Sequence, residues 1–546
     1  MLWHRKIVLL SMLSLATALF VGCATAQPAA PPASGGEEQP LYGGILINHP
    51  SNADPPSFDS QLENTYNLNR PIAATHSSLV RFSPTEVNIL VPDLAEKWDA
   101  SADGKTMTFT LRKGVKFHSG NEFTSADVKF NIERLKGQIT NGPGALPSPP
   151  RKDLVRAVNK VETPDPYTAV FRMDYPSASL MGFLATVFAP MYDKKWLEAG
   201  NDPKKEINGA GPFKLKEYIR GTSYELVKHE NYWEQGRPYL DGVKTYIIPD
   251  LGTVVASMRA GQIMFMSLTQ AQYEALQAQI EGGELKGRMD LVKVPSTGGG
   301  TSVWINVTKP PFNDQKVRTA LTLAVDRREV AKVQGGPDSV VKGWMPAGTF
   351  FALPTEDLAK MPGYGADKAA ERAEAKRLLA EAGYPNGLAL KGINRNEQSY
   401  IDNAIIYSDQ FSKVGITLDT KLMIMATAYD LMEKKDYEIS FSSGGSGTTE
   451  DPDTVFGQFH VCGSPRNYIG MCDPKVEDLF TRQSQALDPQ VRQKLSWELE
   501  KLLLTMVGGL PTAASTPGKW VINAQVRGFQ PGGDNQYRFD QVWLAK

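Results

Sequence analysis

The chain holds many residues able to do chemistry, but few at the spacings chemistry demands. Beyond residue 22 there are five histidines, at 49, 76, 118, 229 and 460. None belongs to an HExxH motif, and no two lie four apart to present a pair of imidazoles on one helix face to a metal. Each alone reads as a structural histidine. Gly444-Gly445-Ser446-Gly447 could expose a serine, yet Thr448 stands where the GxSxG nucleophile elbow needs its second glycine, so a surface loop is the simpler reading. Walker and GxGxxG phosphate loops are missing. Carboxylates are plentiful, and two of them could meet in space as a glycosidase pair, which keeps a hydrolase open as an alternative. Cys462 and Cys472 are ten positions apart, a spacing that suits a disulfide in an exported chain and not a zinc knuckle, with only His460 nearby as a further ligand.

Aromatic side chains are the other resource. Trp98, Tyr192, Trp196, Trp233, Tyr239, Trp304, Trp344, Tyr400, Tyr429 and Trp543 fall in segments that read as loops. Singly, each suits core or interface packing; together they suit a cleft that encloses an amphipathic small molecule.

The frame that must position these residues is large. A chain of 546 residues with 41% apolar residues is long enough for three to four units with cores of their own. Its formal charge of −1 supplies no basic excess for a phosphate backbone, which argues against a nucleic-acid partner. The one long apolar stretch, Ile7 to Val21, follows His4, Arg5 and Lys6 and ends in Phe20-Val21-Gly22-Cys23. That order is a signal peptide, residues 1–22, closing on a bacterial lipobox in which Cys23 becomes the lipidated N-terminus. A plain signal peptide cut after Ala26, or a retained single span, are the competing readings. Removal of residues 1–22 takes away Arg5 and Lys6 and no acid, moving the charge from −1 to −3. The following ATAQPAAPPASGGEEQP has no periodic apolar positions and serves as a tether over 23–40. Fully extended, it reaches about 55 Å.

Strand and helix signals alternate through the rest, which predicts α/β or mixed α+β layers. Thr106 to Leu111 reads as a half-buried strand with Met107, Phe109 and Leu111 inward, and Thr124 with Asp127 as a capping box for a helix carrying Val128, Ile132 and Leu135. Asn313-Asp314 can cap a helix with Val317, Ala320, Leu321 and Ala324 on one face. Ala375, Leu378, Leu379 and Ala382 repeat that spacing before Gly383 and Pro385 stop the helix. Ile416, Leu418 and Leu422 alternate as a half-exposed strand, and the glycine cluster from Thr297 to Gly300 marks a hinge or domain crossover.

Several ordered blocks carry a resemblance. VPDLAEKWDASADGKTMTFTLRKGVKFHSGNEFTSADVKF, from Val91 to Phe130, is similar to the signature segment of the family 5 extracellular solute-binding proteins, the oligopeptide, dipeptide and nickel binders of ABC importers. GAGPFKL (Gly209 to Leu215), WEQGRPYLDGV (Trp233 to Val243), NVTKPPFNDQKVRTALTLAVDR (Asn306 to Arg327) and AEAGYPNG (Ala380 to Gly387) follow in the family's order.

The resemblance implies an α/β fold of periplasmic-binding-protein type. Two lobes close on ligand about a hinge, and one of them is enlarged by an inserted α+β domain. Carried onto this chain, domain I is 41–75, 207–300 and 512–546, the inserted domain is 76–206 and the second lobe is 301–511. It further implies a monomer that binds a small polar ligand, most simply a peptide and alternatively an oligosaccharide, without turnover or cofactor, and delivers it to ABC permease subunits. Expected ligand contacts are Glu63, Asn64 and Thr65 in the first lobe, and Trp304, Asn306, Asn394, Gln398, Tyr400, Thr448, Glu450 and Asp451 in the second. Peptide-binding relatives place an Asp, three residues before the acidic-Pro step, against the ligand's α-amino group; here that position is Thr448, with Glu450 and Asp451 close enough to substitute.

Overall fold

Alternation and helical spacing produce the elements they predict. A computed structural model describes residues 38–49, 54–63, 65, 67–84, 86, 89–295, 300–444, 450–531 and 536–546. Cys23, the leader, Asn64 and Thr448 lie outside the described residues. Thr106–Leu111 is a strand whose Met107, Phe109 and Leu111 are buried. It sits second in an antiparallel sheet with Ala95–Ala100, Thr168–Met173 and Val158–Asp165, in the order 95–100, 106–111, 168–173, 158–165. The helix Ser125–Leu135 opens with the Thr124/Asp127 capping box and buries Val128, Ile132 and Leu135 against this sheet's core. Phe58, Leu68 and Ile72 join the same core, which ties the 54–75 segment to the sheet.

Two further sheets of three or more strands belong to this half. Ile45–Asn48 pairs in parallel with Gly242–Tyr246, which continues antiparallel through Ser223–Lys228 to Phe213–Ile219. Close to the C-terminus, Gly518–Asn523 inserts antiparallel between Phe265–Ser267 and Met289–Val294.

The other half is organised by a five-stranded sheet in the order Ile416–Met423, Leu388–Arg395, Ile439–Ser443, Thr301–Ile305, Gly509–Leu510. Its first three strands are parallel and the last two antiparallel to their neighbours. Parallel strands need a crossover that covers a face, and the helix Gln398–Ser412 supplies one between 388–395 and 416–423. Gln315–Ala324, capped by Asp314, buries Val317, Ala320, Leu321 and Ala324 in the same core as Ala375 and Leu379 of Lys368–Glu381. The chain passes between the halves twice, from 289–294 to 301–305 and from 509–510 to 518–523. The two passages touch: Gly300 has φ +151°, and a Cβ there would stand 2.6 Å from Thr512 Cγ2.

The structure corrects some sequence expectations. Trp98 and Trp543 are on strands, and Trp196, Tyr400 and Tyr429 on helices, not in loops. Thr301–Ile305 is buried at all five positions, so it lacks the alternation that marks a one-sided strand. Leu422 is exposed, near the end of the edge strand of its sheet. Among the described residues, no helix is long and apolar enough to cross a membrane.

Candidate ligand-binding site

Strand Leu388–Arg395 ends beside Ile439–Ser443, and the antiparallel strand Thr301–Ile305 starts there, with Thr301 opposite Ser443. In open α/β sheets the carboxyl ends of parallel strands are where ligands settle, because chain leaves the sheet there and opens a crevice. The side chains at this end form a polar network. Arg395 directs Nε and Nη2 to Glu397 Oε1 at 2.9 and 2.5 Å, and Nη1 to the hydroxyls of Tyr400 at 3.0 Å and Tyr429 at 3.3 Å. Its guanidinium lies 4.3 Å from the Tyr400 ring centroid. Glu397 occupies the N-cap position of helix Gln398–Ser412 but makes no side-chain cap bond. Asn394 Nδ2 donates instead to Tyr400 O at 2.9 Å, pinning the first turn.

This arrangement sets the polarity of the site. A phenol oxygen that accepts from a guanidinium keeps its own O–H free to donate elsewhere. Tyr429 and Ser443 share a hydrogen bond of 3.0 Å between hydroxyls. Burial opposes ionisation of Tyr429, yet Arg395 and Arg466 outweigh it and hold that phenol below its ordinary range. Tyr400 is held above its ordinary range, chiefly by burial, and so keeps its proton. Tyr400 and Ser443 remain half-buried, whereas Arg395 and Tyr429 are buried behind them. The half-buried hydroxyls of Tyr400 and Ser443 can therefore donate to an acceptor oxygen such as a carboxylate or carbonyl, with the Arg395 charge behind them matched by Glu397.

The floor is aromatic. Trp304 is fully buried, donates from Nε1 to Ser443 O at 3.3 Å, and packs on Trp344, Phe459 and Tyr468 with centroids 5.6, 4.9 and 5.9 Å away. Gly444 follows, and a Cβ there would fall 2.6 Å from both Ser302 Oγ and Trp304 Cζ2, so only glycine lets the chain leave the strand at this point. Asn306 is also fully buried. Its Nδ2 donates to Lys435 O and Tyr437 O, and its Oδ1 accepts from Thr308 N and Oγ1, so it pins backbone. Gln398 is exposed and bonds Asp402 one turn on.

Asp451 gives both carboxylate oxygens to Arg492, at 2.6 and 2.7 Å. Its charge is thus matched inside the protein. Glu450 beside it is half-buried.

Residues 54–63 are held from behind. Asp59 pairs with Arg134, Ser60 N donates to Tyr192 Oη at 2.9 Å, and Arg151 donates to Glu63 O while its guanidinium lies over Phe188. Glu63 Oε1 accepts from Ser57 at 2.6 Å, and burial raises its carboxyl above the usual range. Thr65 is buried and its hydroxyl accepts from Asn67 N.

Sequence brackets this network: Asn394 and Tyr400 are expected contacts and Tyr429 is among the aromatics suited to a cleft, while Arg395 and Ser443 are not singled out. The available signal is Arg395 at a strand end with an acid two residues later. No spacing rule could bring in Tyr429 and Ser443, which tertiary pairing delivers.

His49 bonds Ile248 O, and His76 bonds the Thr75 hydroxyl. Burial pushes His76 and His460 down to about 3. His118 and His229 stand 4.8 Å apart, ring to ring, and both bond Gly211 O. Among the described residues, no group of three or more His, Cys, Asp or Glu could hold a metal. Cys462 and Cys472 are bridged.

Comparison with known proteins agrees with this architecture. The model of the bacterial extracellular solute-binding proteins, family 5, matches residues 90–466. The dipeptide-binding protein of Escherichia coli K12 is 28% identical over 529 residues, 90% of this chain and 93% of the relative. The glutathione-binding protein GsiB of Salmonella choleraesuis is 28% identical over 421 residues, covering 75% and 78%. Among solved structures, the ABC transporter-associated periplasmic binding protein DppA from Helicobacter pylori, in complex with peptide STSA, superposes with a TM-score of 0.80 at 25% identity over 93% of this chain and 99% of that one. The fold is that of a two-lobed periplasmic binding protein, and the chain belongs to the bacterial extracellular solute-binding proteins, family 5.

Proposed function

We propose that this protein captures short peptides outside the cytoplasm, between two closing lobes, and presents them to an ABC permease. The observation that carries the reading is the pair of half-buried hydroxyls of Tyr400 and Ser443, braced by Arg395 and Tyr429 at the carboxyl ends of the parallel strands. A peptide terminus or backbone carbonyl is the acceptor such a cluster suits, and the relatives named for dipeptide, glutathione and peptide STSA bind ligands of that chemistry. Ligand bridging both lobes favours the closed form by its differential affinity for that form. We assign 41–75, 207–300 and 512–546 to domain I, 76–206 to the inserted domain and 301–511 to the second lobe. The contact of Gly300 with Thr512 supports a hinge at the two passages. Binding is reversible and without turnover, the protein acts as a monomer, and a lipid on Cys23 with the tether behind it keeps the body near a membrane.

A second reading, an oligosaccharide or another polar metabolite, is favoured by Thr448 at the amino-recognising position and by Asp451 being matched to Arg492. Native mass spectrometry of the purified protein, followed by denaturation and fragmentation of what it retained, separates the two. A ladder of amino-acid residue masses is expected. Hexose-spaced masses would replace the peptide reading, and steady consumption of STSA by the purified protein would replace the non-enzymatic one.

A further inference from the structure

We propose that Ser179 and Asp453 form a latch between the lobes that sets ligand affinity without touching ligand; the proposal rests on the two-lobed capture reading above. Asp453 is 3% exposed and opens a single helical turn, Asp453–Gly457, in the second lobe. Its carboxylate is prepared by that lobe alone. Oδ1 accepts from Gln483 Nε2 at 2.5 Å and from Arg492 Nη2 at 3.3 Å, and Oδ2 accepts from Ser484 Oγ at 2.5 Å. Arg492 is itself fixed by Asp451. The remaining donor comes from 274 positions away in sequence, in the enlarged first lobe: Ser179 Oγ donates to Asp453 Oδ2 at 2.7 Å.

Neighbouring contacts cross the same seam. Ala178 N donates to Ser484 O at 3.2 Å, and the Arg156 guanidinium lies 4.9 Å from the Phe480 ring centroid. The Ser179 bond differs from these in being both buried and charge-assisted, which is the stronger kind of hydrogen bond. Three internal donors hold Asp453 in place, so closure orders only the Ser179 hydroxyl and loses little conformational freedom. None of these residues belongs to the Arg395 network. The latch therefore multiplies affinity by favouring the closed form, and its loss lowers the population able to grip ligand.

The test uses Ser179→Ala, Ser179→Asp and Ser179→Thr in the full chain, with the tetrapeptide STSA as calorimetric probe and small-angle scattering of the ligand-free protein as the measure of closure. Ser179→Ala should weaken STSA about tenfold, through faster dissociation. Ser179→Asp sets a second carboxylate against Asp453, and should weaken it further and enlarge the radius of gyration. Ser179→Thr keeps the hydroxyl and should restore affinity, which a general packing defect would not allow. Unchanged scattering and affinity in the Ala and Asp variants would overturn the latch while leaving peptide capture standing. If wild type ignores STSA, scattering alone decides: expansion in Ser179→Asp upholds the latch and sinks the peptide reading, and no expansion overturns the latch as well.

Discussion

Arg134 and Asp59 meet through two hydrogen bonds, Nη1 to Oδ1 at 3.0 Å and Nη2 to Oδ2 at 2.5 Å, with each side chain 1% exposed. Arg134 also donates to Gln61 Oε1 and Gly144 O, so one guanidinium gathers the 54–65 segment onto the helix Ser125–Leu135. Water cannot reach the pair to replace a lost partner. Asp59→Asn should therefore destabilise the protein by about 3 to 5 kcal/mol, the usual consequence of leaving one buried charge uncompensated. Urea unfolding measures it, and a change below about 1 kcal/mol would mean that the segment does not depend on the pair.

Tyr400 is the half-buried donor of the Arg395 network. Tyr400→Phe keeps the ring over the guanidinium and removes only the hydroxyl, so STSA affinity should fall about tenfold. Calorimetry checks this. Equal affinity in the variant would place the ligand elsewhere on the lobe.

Glu500 supplies the pH dependence. It is 1% exposed, accepts from the backbone N–H of Trp344 and Met345 through Oε1, and burial raises its pKa to about 7. A raised carboxyl pKa means that the native state holds the proton more tightly than the unfolded chain. Its stabilisation is complete below the ordinary glutamate value of 4.5 and is lost as pH rises to about 7. Lys342, lowered to about 8 by burial, titrates above most of that window. Glu500→Gln keeps an acceptor for the two N–H groups but cannot ionise. Wild type should lose about 3 kcal/mol relative to this variant between those pH limits. A flat difference in urea unfolding would show that Glu500 ionises with an ordinary pKa.

Cys462 and Cys472 close a short loop within the second lobe. Cys472→Ser paired with Cys462→Ser should cost about 2 to 3 kcal/mol. Non-reducing peptide mapping of the wild type should recover the linked peptides, and two alkylatable thiols in the untreated protein would remove the bridge.

Cys23→Ala should move the protein from the membrane fraction to the soluble one on fractionation. Continued membrane association of the variant would favour a retained span over a lipid.

Local rules make part of this molecule legible in its sequence. The Thr124/Asp127 capping box, the inward Met107, Phe109 and Leu111, the Asp314-capped helix and the stop at Gly383 depend on contacts within a few residues, and those are written in order along the chain. Ordered sequence blocks likewise suffice for the family. The site does not yield in the same way. Arg395, Tyr429 and Ser443 come from three separate elements. Only parallel pairing of 388–395 with 439–443, covered by the helices between them, places the guanidinium against a hydroxyl 34 residues away and that hydroxyl against Ser443. Asp451 reads as free to meet an ammonium group because its partner, Arg492, is 41 residues away. The strand of Trp304, covered on both faces, has no alternation to show in the sequence. Sequence determines what nearest neighbours enforce; charge pairing and burial over long separations exist only once the chain has closed on itself, and that closure decides which of these side chains are left to face a ligand.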